Sequence, residues 1–159
     1  MAKKKYEHLI KDVPVELRKK GTAKKTKYGD RITDMPVVVE VPGNLPMVQA
    51  AMGKKHGVNV GWFLVPVVKP TLMVDVPHRH DFDQFICFLG SDPYNIGYLG
   101  AEIELYLGKE HEKHIITSPK IVHLTPGLIH CPLYYKKVTR PVFHLDIYLA
   151  DEYVRKPLG

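Results

Sequence analysis

The sequence predicts an all-β fold, a small sandwich or barrel. Three observations carry that expectation. Short runs rich in Val, Ile, Phe and Tyr follow one another from residue 35 onward. Pro or Gly closes most of them, and no long helical pattern separates them.

Val37–Val41 is β-branched and ends at the turn signal Pro42-Gly43. Leu45 to Lys54 reads as a short helix or helical turn. Val58–Val68 is apolar and contains Trp62-Phe63, a core or dimer contact rather than a substrate platform. Thr71–Val76 precedes Pro77, and Gln84–Leu89 closes at Gly90. Ala101–Leu107 alternates, with Glu102, Glu104 and Tyr106 against Ile103, Leu105 and Leu107. Lys109–His114 reads as a charged hairpin loop holding His111 and His114. His114–Thr117 and Lys120–Leu124 flank Pro119. Val142–Leu149 alternates again, with Val142, His144, Asp146 and Tyr148 on one face and Phe143, Leu145, Ile147 and Leu149 on the other.

The chain has 159 residues, the size of one domain. Such a domain buries roughly 70% of its unfolded surface and needs no staple to fold. Its formal charge of +6 is unevenly placed. Residues 1–27 hold ten basic and three acidic side chains, so the arm carries +7 and the remainder −1. Residues 1–30 therefore read as a basic N-terminal arm, with a short helix over Tyr6–Lys20 broken at Pro14 and a linker over Gly21–Asp30. Residues 31–159 read as the β domain. The arm lacks a groove-reading helix pattern and a nucleic-acid motif, so no nucleic-acid partner is expected. Asn59–Val68, the most apolar run, is about half of the roughly 20 residues that span a bilayer, so no membrane association is expected. No apolar segment follows the Lys-rich start, as a secretory signal would require. Two cysteines, Cys87 and Cys131, with no C-x-x-C, favour a reduced, cytoplasmic context.

The stretch that carries chemistry is His78-Arg-His80-Asp-Phe-Asp-Gln84. On an extended chain His78, His80 and Gln84 project to one face, and Asp81 and Asp83 to the other. Two imidazoles and an oxygen donor so spaced can converge on one divalent ion. His130, just past the turn Thr125-Pro-Gly127, is the natural third imidazole.

Here the sequence resembles the cupin superfamily, over about residues 60–150. The first cupin motif runs H-x-H, three or four residues, E, six residues, G. It is matched by His78-x-His80, three residues, Gln84, with Gly90 one position early. The second runs G, five residues, P-x-G, two residues, H, three residues, N. It is matched by Pro119, Thr125-x-Gly127, His130 and Tyr134. Gln84 thus replaces Glu, Pro119 the first Gly, Thr125 the Pro and Tyr134 the Asn.

The resemblance implies a double-stranded β-helix, the cupin jelly-roll barrel, with a divalent transition metal (Fe, Mn, Zn, Ni or Cu) in its lumen. The implied ligands are His78, His80, Gln84 and His130. It also implies a small-molecule ligand or substrate and a homodimer. Cupins include dioxygenases, isomerases, lyases, decarboxylases and proteins without catalysis, so fold alone does not choose among them.

A neutral Gln84 ligand would leave the metal its full charge, favouring anionic ligands and Lewis acidity. If Gln84 does not ligate, a three-histidine face leaves positions open for a bidentate substrate. His144, with Asp146 as orienting partner, is a candidate acid/base if its face lines the lumen. Glu102 and Glu104 are a second acid/base candidate, or else solvate an outer face. His123 and Cys131 could lie near the site, although a strand histidine and a small buried hydrophobe are the plainer readings. The leading expectation is a metal-dependent enzyme acting on a small polar or anionic metabolite. The alternative is a non-catalytic metal- or ligand-binding barrel.

Overall fold

A computed structural model describes residues 59–158, together with the backbone of four short strands before them. These four are β1 (Val15–Glu16), β2 (Lys24–Thr26), β3 (Gly29–Arg31) and β4 (Val38–Val41). The expected helix at Leu45–Lys54 lies outside the described residues. Val15–Glu16, inside the stretch expected to be helical, is instead a strand paired with Val38–Val39. Pro14 immediately before it disfavours a continuous helix, and a β-branched residue follows. The expected linker likewise contains the hairpin β2–β3.

The described body consists of β5 (Gly61–Val67), β6 (Thr71–Val74), β7 (His78–Arg79), β8 (Gln84–Gly90), β9 (Ala101–Leu107), β10 (Glu112–Ile116), β11 (Lys120–Leu124), β12 (His130–Val138), β13 (Val142–Tyr148) and β14 (Lys156–Pro157). They form two antiparallel sheets. One runs β1-β4-β5-β13-β8-β11, and the other β10-β9-β12-β7-β14 with β6 also on β12. The chain passes back and forth: β5 to β6 and β7, back to β8, across to β9 and β10, back to β11, across to β12, back to β13, and finally across to β14. That alternation is the winding of a jelly roll.

Each sheet sends one face inward. Val65, Val67, Ile86, Phe88 and Val142 come from the first sheet, and Ile103, Leu105, Leu133 and Tyr135 from the second. Leu99, Ile116 and Leu124 complete the packing. At about 25 cal/mol per Å² of apolar surface buried, this cluster is the main source of stability. Gly61 is required where it stands, because a Cβ there would enter the ring of Tyr148, its cross-strand partner.

The observed strands track the expected ones closely for β9 and β11. β12 has no counterpart among the expected strands, and Pro132 lies inside it. In the fold, the register of β12 against β9 shifts between His130 and Leu133, so the ladder tolerates a proline there. His114, expected where the charged loop meets the strand-like run His114–Thr117, lies within β10, which begins two residues earlier, and pairs with Leu105.

Candidate metal centre

Strand pairing brings the first two histidines together. His78 in β7 is registered directly against His130 in β12, with ring centroids 4.4 Å apart. His80 follows just after β7 and lies 5.0 Å from each of the other two rings. All three are buried, and one ligand atom from each falls within 4.8 Å of the others. Metal–nitrogen bonds of roughly 2.0–2.1 Å place two ligand atoms up to about 4 Å apart. Small adjustments therefore bring the set onto one ion.

The hydrogen bonds settle which nitrogen faces that point. His78 Nδ1 donates to the Val76 carbonyl at 2.9 Å, His80 Nδ1 to the Val154 carbonyl at 2.6 Å, and His130 Nδ1 to the Leu128 carbonyl at 2.9 Å. A carbonyl can only accept, so each proton resides on Nδ1 and each Nε2 keeps its lone pair. All three Nε2 atoms are buried without a hydrogen-bond partner among the described residues. An unsatisfied buried polar atom costs about 1–3 kcal/mol, so three converging ones call for an occupant. The set fits a divalent metal. Burial lowers the His78 pKa to about 4 and that of His130 to about 3, with the charge of Arg155 adding to both. His80 shifts down for the same leading reason. The imidazoles are therefore neutral near pH 7, the form in which they ligate.

Gln84 opens β8 and is buried on the same inward side. Its Nε2 donates to both oxygens of Asp146, at 2.7 and 2.8 Å, and approaches the Tyr153 hydroxyl at 3.3 Å. Its Oε1 is buried and unpartnered among the described residues.

The face of β13 that carries His144 does line the lumen. Val142, His144, Asp146 and Tyr148 are all buried. His144 Nδ1 meets the Tyr135 hydroxyl at 3.0 Å, and its Nε2 lies 3.5 Å from Asp146. Both ring nitrogens are thus engaged inside the protein. Burial raises the Tyr135 hydroxyl well above its ordinary range, with Asp146 adding to the effect, so it stays protonated.

Of the other sequence candidates, only Cys131 is brought near the histidines. Glu102 and Glu104 alternate with buried Ile103 and Leu105, and so project from the outer face of β9. There they meet Lys137 at 3.1 Å and Lys113 at 2.6 Å. His123 lies outside, stacked on Phe85 and bonded to Asp83 at 2.6 Å. His111 and His114 lie at the β9–β10 hairpin, away from the cluster. Cys131, next to His130, does adjoin the site, within electrostatic reach of Tyr153 and Arg155. It packs in the core, however, where burial pushes its thiol up to about 12 and leaves it inert.

Sequence reasoning missed the C-terminal segment. Tyr153 packs with its ring centroid 4.8 Å from His80 and 5.4 Å from Phe63. Val154 supplies the carbonyl that orients His80, and Lys156 and Pro157 pair with Arg79 and His78. Arg155 stacks over Tyr153 at 5.5 Å. No local pattern marks such contacts, because the His80–Val154 bond spans 74 residues.

No family model matches the sequence, and no curated protein matches it. Solved structures do. A cupin 2 conserved barrel domain protein from Rhodopseudomonas palustris is 9% identical, aligns over 92% of this chain and 78% of its own, and gives a TM-score of 0.50. A polyketide cyclase from Streptomyces resistomycificus is 13% identical over 100% of this chain and 87% of its own, with a TM-score of 0.47. An oxalate decarboxylase from Bacillus subtilis, a protein with Mn(II) centres, is 10% identical with a TM-score of 0.46. The alignment covers 80% of this chain and 29% of that one. The protein has the cupin fold.

Proposed function

We propose that the protein is a metal-dependent enzyme acting on a small polar or anionic molecule. The observation that carries this reading is the convergence of three buried Nε2 atoms, from His78, His80 and His130, that have no partner among the described residues. These three residues would hold the metal, and Gln84 Oε1 is the candidate fourth donor. Imidazole nitrogen with one neutral oxygen suits several first-row divalent ions. A metal bound there would supply Lewis acidity, polarising a substrate oxygen or lowering the pKa of bound water.

The protein's own groups divide the remaining work. With no carboxylate among these four donors, the site retains positive charge and favours an anionic partner such as a carboxylate or enolate. The charge of Arg155, felt at all three histidines, adds to that preference. Burial holds the Tyr153 phenol above its ordinary range, so it keeps its proton and can donate a hydrogen bond to a bound oxygen. Phe63, Phe82 and Tyr148 pack around Tyr153 and hold its ring beside His80.

A non-catalytic binding role is a second reading, favoured by one observation. His144 has both ring nitrogens engaged, and Glu102 and Glu104 project outward, so none of the three sequence-predicted acid/base groups faces an open position. Elemental analysis of purified protein tests the common part: near one equivalent of a transition metal is expected. Unchanged metal content in the His80→Ala, His130→Ala double variant would overturn it. Turnover of small carboxylates and carbonyl compounds by the metal-loaded protein separates the readings, since the binding role predicts saturable binding without turnover.

A further inference from the structure

Gln84 stands where the cupin pattern has Glu, and the structure offers a physical reason. The inward face of β13 places Asp146 diagonally across from Gln84, whose direct cross-strand partner is Tyr148. Gln84 is 1% exposed and Asp146 2%. Both Asp146 oxygens accept from Gln84 Nε2, at 2.7 and 2.8 Å. A carboxylate cannot donate, so this contact fixes which end of the amide faces Asp146. The opposite end, Oε1, is left buried and unpartnered among the described residues. A glutamate at position 84 would set two carboxylates against each other across a hydrogen-bond distance. The identity of residue 84 is thus tied to that of residue 146.

Resting on the reading that the three histidines hold a divalent metal, we propose that Asp146 is a positioning residue that locks the Gln84 amide so that Oε1 serves as a neutral fourth donor. The carboxylate of the site stands one residue behind the metal instead of on it. His144 Nε2 also lies 3.5 Å from Asp146 Oδ2 and helps hold the carboxylate in place. The arrangement preserves an oxygen donor without cancelling metal charge, which keeps the centre attractive to anions.

The experiment uses the full chain as wild type, Gln84→Leu, Gln84→Glu, Asp146→Asn and the Gln84→Glu, Asp146→Asn double variant. Cobalt(II) and manganese(II) are the probes, followed by calorimetric affinity and the visible spectrum of the cobalt-loaded protein. Melting temperature of each metal-free protein is measured in parallel. Gln84→Leu is expected to weaken both ions about ten- to hundredfold and to alter the cobalt spectrum. Gln84→Glu alone lowers the metal-free melting temperature. The double variant recovers it, because the amide introduced by Asp146→Asn can donate to the carboxylate introduced by Gln84→Glu. It also binds manganese more tightly than wild type. That non-additivity is the signature of a coupled pair. Additive effects in the double variant would overturn the positioning role. Wild-type affinity and an unchanged cobalt spectrum in Gln84→Leu would overturn the donor role and leave the three-histidine reading intact. A wild-type protein that takes up neither ion overturns that reading, and the donor role with it.

Discussion

The two ends of the barrel lumen are buried alike and built from opposite chemistry. Strands β8 and β13 run through both. Toward one end they present Phe88 and Val142 beside Ile103, Leu105 and Leu99. Toward the other they present Gln84, Asp146 and Tyr148 beside His78, His80 and His130. The transition comes within a few residues, at His144 opposite Phe88 and Asp146 opposite Ile86. The apolar end gains free energy from burial alone. The polar end loses it wherever a buried nitrogen or oxygen lacks a partner. Three histidine Nε2 atoms at the polar end have no partner among the described residues, and on the proposed reading they hold a metal, so the apolar end should govern stability and the polar end occupancy.

Substitutions that separate the two ends test this most forcefully. Ile103→Ala or Leu105→Ala is expected to destabilise the metal-free protein by about 2–5 kcal/mol, through lost transfer free energy and the cavity left behind. Denaturant unfolding measures it, and metal content of the folded variant should be unchanged. If these variants lost metal as readily as stability, the two ends would not be separable. The next effect is occupancy. A metal at one hundred times its dissociation constant should stabilise the wild type by about 2.7 kcal/mol. His78→Leu or His130→Leu should abolish that gain while altering metal-free stability less than Ile103→Ala does. A histidine variant that still gains stability on metal addition would break the assignment of the polar end.

The two ends also differ in how far the sequence disclosed them. The alternation in β9 separated its glutamates from its isoleucine and leucine and left open which set faces the lumen; the structure turns the glutamates outward, as binary patterning expects. The same rule applied to β13 would turn it inside out. There the inward face is Val142, His144, Asp146 and Tyr148, whereas Phe143 is exposed and Leu145 and Ile147 are half-buried. Alternation reveals two faces and not which one is interior. Only the burial of the polar network decides it. The H-x-H pair and His130 were legible because their spacing follows from strand geometry and one turn. The Gln84–Asp146 bond and the contacts of Tyr153 and Val154 join residues 62 to 74 positions apart. No local pattern records such pairings.

Acid sharpens the comparison further, because only the polar end titrates. His78 and His130 have folded-state pKa values lowered to about 4 and about 3, from 6.5. Above pH 6.5 they are neutral both folded and unfolded, and their contribution does not vary with pH. Below 6.5 the unfolded chain takes up protons that the folded, metal-free protein refuses. Stability should therefore fall as pH falls from 6.5 toward 3–4. Urea midpoints of metal-free protein across that range measure the slope, and the His78→Leu, His130→Leu double variant should flatten it. An unchanged slope in that variant would place the sensitivity elsewhere.

The smallest effect belongs to the outer face, which serves as the control for both ends. Glu102 meets Lys137 at 3.1 Å with the lysine side chain 70% exposed, so solvent screens the pair. Such exposed pairs contribute about 0–1 kcal/mol. Glu102→Gln is expected to shift stability by no more than about 0.5 kcal/mol and to leave metal affinity and any turnover unchanged. Thermal melting and metal titration of that variant check both. The placement of Glu102 across the β9 backbone from Ile103 and Leu105 underlies the expectation, since a group on that side has no path to the histidines through the lumen. A large loss of turnover with intact metal binding would require the outer face to reach the substrate. That would break the division between an interior that binds and a surface that only solvates.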